Sequence, residues 1–340
     1  MPQTITKILI IGPSWIGDMV MAQSLFKALK EKNPNVSIDV LALAWTKPLL
    51  ERMPEVNKAI PMPISHGVFG WNMRKQIGHG LRKEHYDQAI VLPNSWKSAL
   101  IPWFANIPIR TGWRGEMRYG LLNDIRTLDK EAVPMMVQRY VSLAYPKSQA
   151  HIAPPYPIPL MVGEVVSPEF QIEQDEEQSR LIFCPGAEFG PAKQWPSTHF
   201  ADLASTYLEQ GWQLLILGSE ADKNISEEII KAIPSKYQTA IFNLCGKTKL
   251  SDAIDLLGTA DLIVSNDSGL MHVSAALQKN LTAIYGPTSP NFTPPLASNS
   301  HIVQLDVECG PCFQKTCPEG HHKCMLDLTS DIVIKQTKKI

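Results

Sequence analysis

The sequence contains no apolar run that approaches the ~20 consecutive residues needed for a membrane-spanning helix. Its first residues, "MPQTITKILIIG", lack the basic, apolar and cleavage regions of a secretory signal, since their apolar part has the length of a strand. Six cysteines are too few to cross-link 340 residues through disulfides, so we expect thiols or metal ligands in a reducing compartment. Together these features favour a cytoplasmic protein without a transmembrane segment.

Common nucleotide-binding signatures are missing as well. In "IIGPSWIGDMV", residues 10–20, the glycines do not have the G-x-G-x-x-G spacing of dinucleotide-binding loops, and no Gly-Lys-Ser/Thr follows as in a P-loop. A dehydrogenase or an ATPase is therefore disfavoured. Asp18 stands where the following helix is predicted to begin, and it is either the helix cap or a general base facing an interdomain cleft.

What is present is a repeated alternation of short apolar strands and helical patterns. The alternation runs from "KILIIG" to "KSALIPWFA", gives way to a stretch rich in Pro and Glu, and restarts at "RLIFCPGAE". It predicts an α/β fold of two Rossmann-like domains with a cleft between them. The predicted parts are an N-terminal domain at 1–165, a linker at 166–178, a C-terminal domain at 179–325 and a final helix at 326–340.

The net charge of −1 hides an asymmetry between the two halves of the chain. Residues 1–160 carry 19 Lys and Arg against 11 Asp and Glu, whereas the remainder carries 13 against 22. A basic N-terminal half indicates an acidic partner, such as a phosphorylated or carboxylated substrate, an anionic membrane surface or nucleic acid. Solubility alone is the other interpretation.

The stretch "VSNDSGLMHVSAAL", residues 264–277, predicts a strand, a tight polar turn and a helix. Ser268 and Gly269 would then present backbone N–H groups at a helix start, which stabilises a diphosphate. We expect Asp267 to order this loop. His272 either donates a hydrogen bond to a phosphate oxygen or is a buried core residue.

Two other loops follow predicted strands. The loop "FCPGAEFGPAKQWP" carries a single lysine, Lys193, whose compact charge can neutralise a phosphate. The loop "LILGSEADK" carries Glu220, which either accepts hydrogen bonds from ribose hydroxyls or is an acid favoured by the dipole of a helix start.

These stretches together resemble the ADP-heptose:lipopolysaccharide heptosyltransferases, two-domain glycosyltransferases of the GT-B fold. The resemblance rests on "GPSWIGDMV", "PGAEFGPAKQWP", "NDSGLMHVSAAL" and "IYGPTSP" and covers essentially the whole chain. Two further stretches, "PNSWKSALIPWFANIPIRTGWRGEMRYGLLND" and "CGPCFQKTCPEGHHKCM", are most similar to the heptosyltransferase II branch. The resemblance implies inverting transfer of heptose from ADP-L-glycero-β-D-manno-heptose to the first heptose of the inner core, heptosyl-Kdo-lipid A, with release of ADP.

The resemblance also implies roles for individual residues. Asp18 would be the catalytic base, and Lys193 would stabilise the departing ADP. Since the sequence has no DxD pair of the kind that holds manganese, we expect metal-independent transfer without a cofactor. A lipid acceptor implies peripheral contact with the inner face of the inner membrane. The GT-B fold implies a final helix that crosses back to the first domain. The donor would contact Glu220, Thr248, Asp267, Ser268, Gly269 and His272. The acidic acceptor would contact Lys97, Arg110, Arg114 and Arg118, and Trp96, Trp103 and Trp113 would be available to stack on its sugars.

Four cysteines cluster near the end of the chain with the spacing C-x2-C-x4-C-x6-C. Cys309, Cys312, Cys317 and Cys324 could bind zinc, but the paired C-x2-C arrangement of structural zinc sites is absent. We favour reduced thiols that pack a turn-rich segment, and we expect no metal.

Other functions remain open at this point. A heptosyltransferase I would use Kdo-lipid A itself as acceptor, and a nucleotide-sugar epimerase of similar architecture would use the same diphosphate site without a lipid acceptor. A binding protein for anionic glycolipids would explain only the basic half. Basic residues among aromatics also occur on surfaces that bind single-stranded nucleic acid, but no nucleic-acid-binding module accompanies them here, so we expect no such partner.

Overall fold

The computed structural model describes residues 5–65, 67–161, 172 and 178–337. The chain divides into two compact units, Met1–Gly163 and Glu164–Ile340, called here the N-terminal unit and the C-terminal unit. Apart from residues 172 and 178, the predicted linker 166–178 lies outside the described residues.

The described part of the N-terminal unit contains a single six-stranded sheet and five α-helices. Its strands are β1 (Lys7–Ile11), β2 (Ser37–Leu43), β3 (Lys58–Met62), β4 (Gln88–Val91), β5 (Ile109–Trp113) and β6 (Asp124–Arg126). Its helices are α1 (Ile16–Lys32), α2 (Lys47–Leu50), α3 (Trp71–Leu81), α4 (Leu100–Phe104) and α5 (Met136–Val141). All strands are parallel and lie in the order β3-β2-β1-β4-β5-β6.

The described part of the C-terminal unit repeats this plan. Its strands are β7 (Arg180–Cys184), β8 (Gln213–Ile216), β9 (Ile241–Asn243), β10 (Leu262–Asn266), β11 (Leu281–Tyr285) and β12 (Ser300–Gln304), and its helices are α6 (Ser197–Leu208), α7 (Lys223–Ala232), α8 (Leu250–Gly258), α9 (Gly269–Ala276), α10 (Lys323–Leu326) and α11 (Ser330–Thr337). The parallel strands lie in the order β12-β11-β10-β7-β8-β9, so each unit has the same strand order when its strands are counted from its own first strand.

The central strands are buried and mostly apolar because helices cover both faces of a parallel sheet. Residues 8–11 of β1 and all of β4, β7 and β10 are buried. The loop after β1 packs closely against α1: a Cβ at Gly12 would lie 2.8 Å from the Met19 methyl carbon and 3.1 Å from Ala42 Cβ. A larger residue at this position would therefore require the buried Met19 side chain to shift.

The prediction of an α/β fold with two Rossmann-like sheets is confirmed. No helix of the described residues has the length and apolar composition needed to span a bilayer. The last helix, α11, packs on α6 within the C-terminal unit, and the Tyr207 hydroxyl donates to Thr337 Oγ1 over 2.6 Å. Its predicted crossing to the other domain stays a prediction.

Candidate functional site

The carboxyl edge of the C-terminal sheet brings together two of the predicted loops. In open parallel sheets, ligands bind beyond the carboxyl ends of the strands, at the point where the strand order reverses. Here that point lies between the paired strands β7 and β10. The loop after β7 carries Lys193 and the loop after β10 carries Asp267, so the topology places these two residues side by side.

Lys193 and Asp267 form a close ion pair. Lys193 Nζ lies 2.5 Å from Asp267 Oδ2 and 3.2 Å from the Asp267 carbonyl oxygen, and the two side chains are 13% and 5% exposed. Thr288, in the loop after β11, donates to the same Asp267 Oδ2 over 2.6 Å. The Phe189 ring centroid lies 4.9 Å from the ammonium. The lysine charge is therefore held at a defined position at this edge.

Backbone contacts fix the two loops to each other. The Asn266 side chain donates to the Pro185 carbonyl over 2.7 Å and accepts from the Trp195 N–H over 3.4 Å. Trp195 is fully buried, and its indole N–H donates to the Leu328 carbonyl over 2.7 Å. Since Lys193 lies between Pro185 and Trp195 in the chain, these bonds hold its loop against β10.

Helix α9 begins at Gly269, directly after the ion pair, as the sequence predicted. Ser268 precedes the helix in an extended conformation, and within the described part of the chain its side chain makes no capping hydrogen bond. The first N–H groups of a helix have no intrahelical acceptor, and together with the helix dipole they favour an anion. Ser268 and Gly269 are half-buried, so their N–H groups lie at the surface of the unit.

His272 lies one turn into α9 and is 5% exposed. Burial lowers its pKa to about 4; the Asp267 carboxylate opposes this shift, and the Lys193 ammonium adds to it. The imidazole is therefore neutral at pH 7 and can offer one N–H donor, but no positive charge. The two interpretations made from sequence, a buried residue and a hydrogen-bond donor, are compatible in this environment.

Glu220 lies in the loop after β8, next to the loop after β9. Its carboxylate accepts from Lys223 Nζ over 2.6 Å and is 73% exposed. Gly246 has a φ of +71°, which favours glycine, and a Cβ there would lie 2.4 Å from Glu220 Oε2, so that the exposed Glu220 side chain would have to move. Thr248 follows in the same loop and is half-buried.

Asp18 lies in the first turn of α1, at the carboxyl edge of the N-terminal sheet. The helix begins at Ile16 and its cap residue is Trp15, so the interpretation of Asp18 as the cap is wrong. The buried Tyr140 of α5 hydrogen-bonds to the Asp18 side chain. Burial first, and the Asp18 carboxylate second, raise the pKa of Tyr140 well above its ordinary value of 10, so the phenol stays protonated as a donor.

The structure separates the basic residues that the sequence grouped. Arg118 is 2% exposed, and its guanidinium donates to the Pro93 carbonyl over 2.6 Å. Arg110 is half-buried and donates to the Leu121 carbonyl over 2.6 Å. By contrast, Arg114 is exposed and Lys97 is half-buried. Direct contact with a bound molecule therefore fits Arg114 and Lys97, whereas Arg118 is buried beneath the loop.

Trp113 differs from the other two tryptophans expected to stack on sugars. It is 4% exposed, and its indole N–H donates to the Arg139 carbonyl over 3.0 Å. The prediction that Trp113 stacks on a sugar is therefore wrong for this conformation. Trp103 is 42% exposed and is accessible for such a contact.

The cysteine segment forms a separate cluster. Cys309, Cys312, Cys317 and Cys324 are free thiols that line a cavity of about 20 Å³ together with His321. Burial, and then the neighbouring thiols of the other three, raise the pKa of Cys324 to about 11. Among the described residues, no group of three or more His, Cys, Asp or Glu side chains is arranged to hold a metal ion.

Sequence reasoning did not identify Tyr140, Thr288 and Asn266, which hold the predicted residues in place. Thr288 and Asn266 follow or end strands that had been predicted, so the rule that ligands meet strand ends pointed to them. Tyr140 had no such signal, because only tertiary packing of α5 on α1 brings it to Asp18.

Known proteins resemble this chain over its full length. A sequence profile of glycosyltransferase family 9 (heptosyltransferase) matches residues 74–323. The chain is 49% identical to lipopolysaccharide heptosyltransferase 2 of Salmonella typhimurium, with 97% of each chain covered. It is 46% identical to lipooligosaccharide heptosyltransferase 2 of Haemophilus influenzae, with 98% and 99% covered.

A solved structure has the same fold. The ADP-heptose lipopolysaccharide heptosyltransferase II of E. coli superposes with a TM-score of 0.86, at 47% identity and with 98% of each chain covered. The profile match, the full-length identities and this superposition agree with the strand order and the strand-end loops described above. The chain belongs to glycosyltransferase family 9, the heptosyltransferases.

Proposed function

We propose that the protein transfers heptose from ADP-L-glycero-β-D-manno-heptose to the first heptose of heptosyl-Kdo-lipid A, with inversion at the anomeric carbon and release of ADP. The relatives that are 46–49% identical are named as the second heptosyltransferase of lipopolysaccharide or lipooligosaccharide assembly. The structural observation that carries the proposal is the fixed lysine charge beside the start of α9, which suits a departing diphosphate.

The C-terminal unit would bind the donor. The diphosphate would lie against the Ser268 and Gly269 N–H groups and the Lys193 ammonium, with neutral His272 as an additional donor. Asp267 would act indirectly, because Lys193 and Thr288 already occupy its carboxylate. On the family pattern, Glu220 would accept from the ribose hydroxyls and Thr248 would lie near the adenine.

Asp18 would act as general base on the acceptor. It would take the proton from a hydroxyl of the acceptor heptose as that oxygen forms a bond to the anomeric carbon, on the face opposite the departing ADP. The C–O bond to ADP breaks as the new bond forms, which inverts the configuration. Tyr140 would keep the Asp18 carboxylate in position by donating a hydrogen bond to it, because the buried phenol stays protonated at neutral pH.

We further propose that transfer needs neither a metal ion nor a cofactor. Negative charge accumulates on ADP as its bond breaks, and positioned donors aimed at that charge are usually the largest catalytic contribution. Lys193 and the two N–H groups would supply this stabilisation, which a divalent cation supplies in metal-dependent glycosyltransferases. The sequence also has no DxD pair to bind such a cation.

The N-terminal unit would bind the acidic acceptor on the inner face of the inner membrane, from the cytoplasmic side. Exposed Arg114 and half-buried Lys97 are the proposed direct contacts. Arg110 and Arg118 would act as positioning residues, because their guanidinium groups hold loops through backbone carbonyls.

The test is ADP release from ADP-heptose in the presence of EDTA, measured with Kdo-lipid A that carries one heptose and with Kdo-lipid A that carries none. We expect release with the heptosylated acceptor only. Release with the bare acceptor only would identify a heptosyltransferase I, and release that requires an added divalent metal would contradict metal independence. Release of free sugar without any acceptor would instead favour the epimerase or a hydrolase.

A further inference from the structure

The N-terminal unit exposes a group of large apolar side chains, and apart from Trp103, which was expected to stack on sugars, the proposed chemistry does not use them. These residues lie in the loop before α3, in its first turn and near the end of α4. Each is between 41% and 50% exposed, although side chains of this kind are usually buried. The members of this aromatic patch are Val68, Phe69, Trp71, Met73 and Trp103.

The loop that carries the patch has a defined structure. Arg74 is 5% exposed and donates from Nε to the Phe69 carbonyl over 2.6 Å and from Nη2 to the Val68 carbonyl over 3.3 Å. Gly70 has a φ of +57° at the cap of α3, and a Cβ there would lie 3.2 Å from the buried Ile64. A buried arginine and a glycine turn therefore present Val68 and Phe69 outward.

The aromatic rings of the patch pack against two neighbouring rings, Trp96 and Phe104. The Phe69 ring centroid lies 6.1 Å from that of Trp96, with the planes 12° apart. Trp71 packs edge-on against Phe104 at 5.2 Å, and Trp103 packs against the same ring at 4.9 Å. Such contacts make the patch a continuous apolar surface with a fixed base.

The chain segment that carries most of the patch is basic. Residues 56–83 contain no Asp or Glu and five Lys or Arg, and three of these, Lys75, Arg82 and Lys83, are exposed on or just after α3. An apolar patch with a basic rim complements a bilayer that has anionic headgroups and an apolar interior. Val68 and Met73 offer no flat face to a sugar ring, so they favour acyl chains over carbohydrate as the partner.

We propose that the aromatic patch docks on an anionic bilayer, with Phe69 and Trp71 at the boundary between headgroups and acyl chains. The inference rests on the proposed function in one respect, namely that the acceptor is a lipid held in such a membrane. Trp and other aromatic residues are enriched at this boundary, and the basic rim adds electrostatic attraction. Docking would bring the N-terminal unit to its acceptor without any segment that crosses the bilayer.

The first test measures co-sedimentation of the full chain with vesicles of phosphatidylglycerol and phosphatidylethanolamine in equal parts. The variant is Phe69→Ser with Met73→Ser, and the matched control is Leu326→Ser, which removes a 49% exposed apolar side chain from the C-terminal unit. We expect the double variant to bind about tenfold or more weakly, because it loses two large apolar side chains, whereas the control binds like wild type. Vesicles without anionic lipid should bind all three proteins weakly.

Equal vesicle binding by the double variant and wild type would overturn the proposal. Val68→Asp serves as a second variant, because it places a negative charge in the patch with a smaller change of volume, and it should also weaken binding. The melting temperature of each variant should match wild type; a variant that has unfolded is replaced by the other one. If a patch variant lost self-association but still bound vesicles like wild type, the partner of the patch would be a second copy of this chain instead.

Activity separates membrane docking from sugar binding and from failure of the proposed function. With a deacylated, water-soluble acceptor the double variant should keep the KM of wild type, whereas with acceptor embedded in vesicles its KM should rise about tenfold. An equal rise with both acceptors would show that the patch binds the carbohydrate, which contradicts membrane docking. If wild type released no ADP with either acceptor, the proposed function would fail, while the vesicle assay would still decide on docking.

Discussion

The two units use the same strand order to build two different carboxyl edges. In the C-terminal unit the polar side chains bond to one another: Lys193 and Thr288 both bond to the Asp267 carboxylate. In the N-terminal unit the arginines bond to backbone carbonyls of neighbouring loops, as Arg118 does to Pro93. The first arrangement fixes a few charged atoms, which suits the small donor proposed above, whereas the second supports an exposed basic and aromatic surface, which suits the larger acceptor proposed above.

The loops after the two first strands differ in charge as well as in size. The loop after β1 leads to a carboxylate, Asp18, in the first turn of α1, and the loop after β7 carries an ammonium group, Lys193. In an inverting transfer the nucleophile must lose a proton and the leaving group must gain stabilisation of negative charge. The opposite charges in the segments that follow the first strand of each unit therefore match the two halves of the proposed reaction. Five predictions test this division.

Asp18→Ala is expected to have the largest effect. Loss of a general base typically lowers the rate by about 10²- to 10⁴-fold, so kcat for ADP release should fall by that factor. The affinity for ADP, measured by calorimetry, should stay the same, because the donor contacts proposed here belong to the C-terminal unit. A loss below tenfold in kcat, or a matching loss in ADP affinity, would contradict the role as base.

Tyr140→Phe is the companion variant to Asp18→Ala. It keeps the carboxylate and removes only the hydroxyl that bonds to it, an interaction worth about 0.5–1.5 kcal/mol in a typical case. We therefore expect a fall in kcat of about threefold to tenfold and a pH profile displaced from that of wild type. An Asp18→Ala, Tyr140→Phe double variant should be no slower than Asp18→Ala alone.

His272 predicts a specific dependence of stability on pH. Its pKa is about 4 in the folded protein against 6.5 for an ordinary histidine, so below pH 6.5 the unfolded chain binds a proton that the native chain does not. Above pH 6.5 this group does not reduce the free energy of unfolding. As the pH falls from 6.5 towards 4, it reduces that free energy progressively. The loss amounts to about 3 kcal/mol at most, since each pKa unit corresponds to about 1.4 kcal/mol.

Comparison with His272→Gln isolates this contribution from other titrating groups. The free energy of unfolding of wild type minus that of the variant should be constant above pH 7 and should shrink between pH 6.5 and 4. A constant difference across this range would mean that the pKa of His272 is the same in the native and unfolded states. Urea titrations at closely spaced pH values supply the measurement.

Lys193→Gln should lower the rate by less than Asp18→Ala does. A hydrogen bond to a charged group contributes about 1.5–3 kcal/mol, so kcat/KM for ADP-heptose should fall by about tenfold to a hundredfold. Lys236→Gln provides the control, because it removes the charge of an exposed lysine of the same unit that lies against Tyr237. Equal effects of the two substitutions would show that Lys193 acts through overall charge and not through its position.

The sequence was sufficient for the fold and for the residues that follow strands. Apolar runs alternating with helical patterns gave the two parallel sheets, and the rule of strand ends led to Lys193 and Asp267, which form an ion pair. It could not supply Tyr140, because that contact depends on how α5 packs on α1. It also placed the start of α1 too late: Trp15 caps the helix, and the close packing of Gly12 on Met19 brings the first turn near β1.

Burial explains why the sequence could not separate Arg114 from Arg118. Both arginines stand in one short polar segment, "TGWRGEMRYG", and local pattern gives no sign of which guanidinium points inward. Tertiary packing decides it, since Arg118 fills the space beneath the loop of Pro93 while Arg114 stays exposed. This difference gives the last of the five predictions.

Arg118→Lys should affect stability, whereas Arg114→Lys should not. A lysine ammonium cannot reproduce the fork by which Arg118 bonds to the Pro93 and Trp113 carbonyls, so we expect a loss of about 1–3 kcal/mol in the free energy of unfolding. Arg114→Lys keeps the charge at an exposed position, where substitutions change stability by less than about 0.5 kcal/mol. Arg114→Ala should instead raise the KM for the acceptor about threefold to tenfold without changing the unfolding midpoint, because a contact at the surface would be lost while the loop beneath it stays intact. If Arg118→Lys unfolded at the same urea concentration as wild type, its buried carbonyl contacts would not hold the loop, and the distinction between a positioning arginine and a contacting arginine at this edge would be lost.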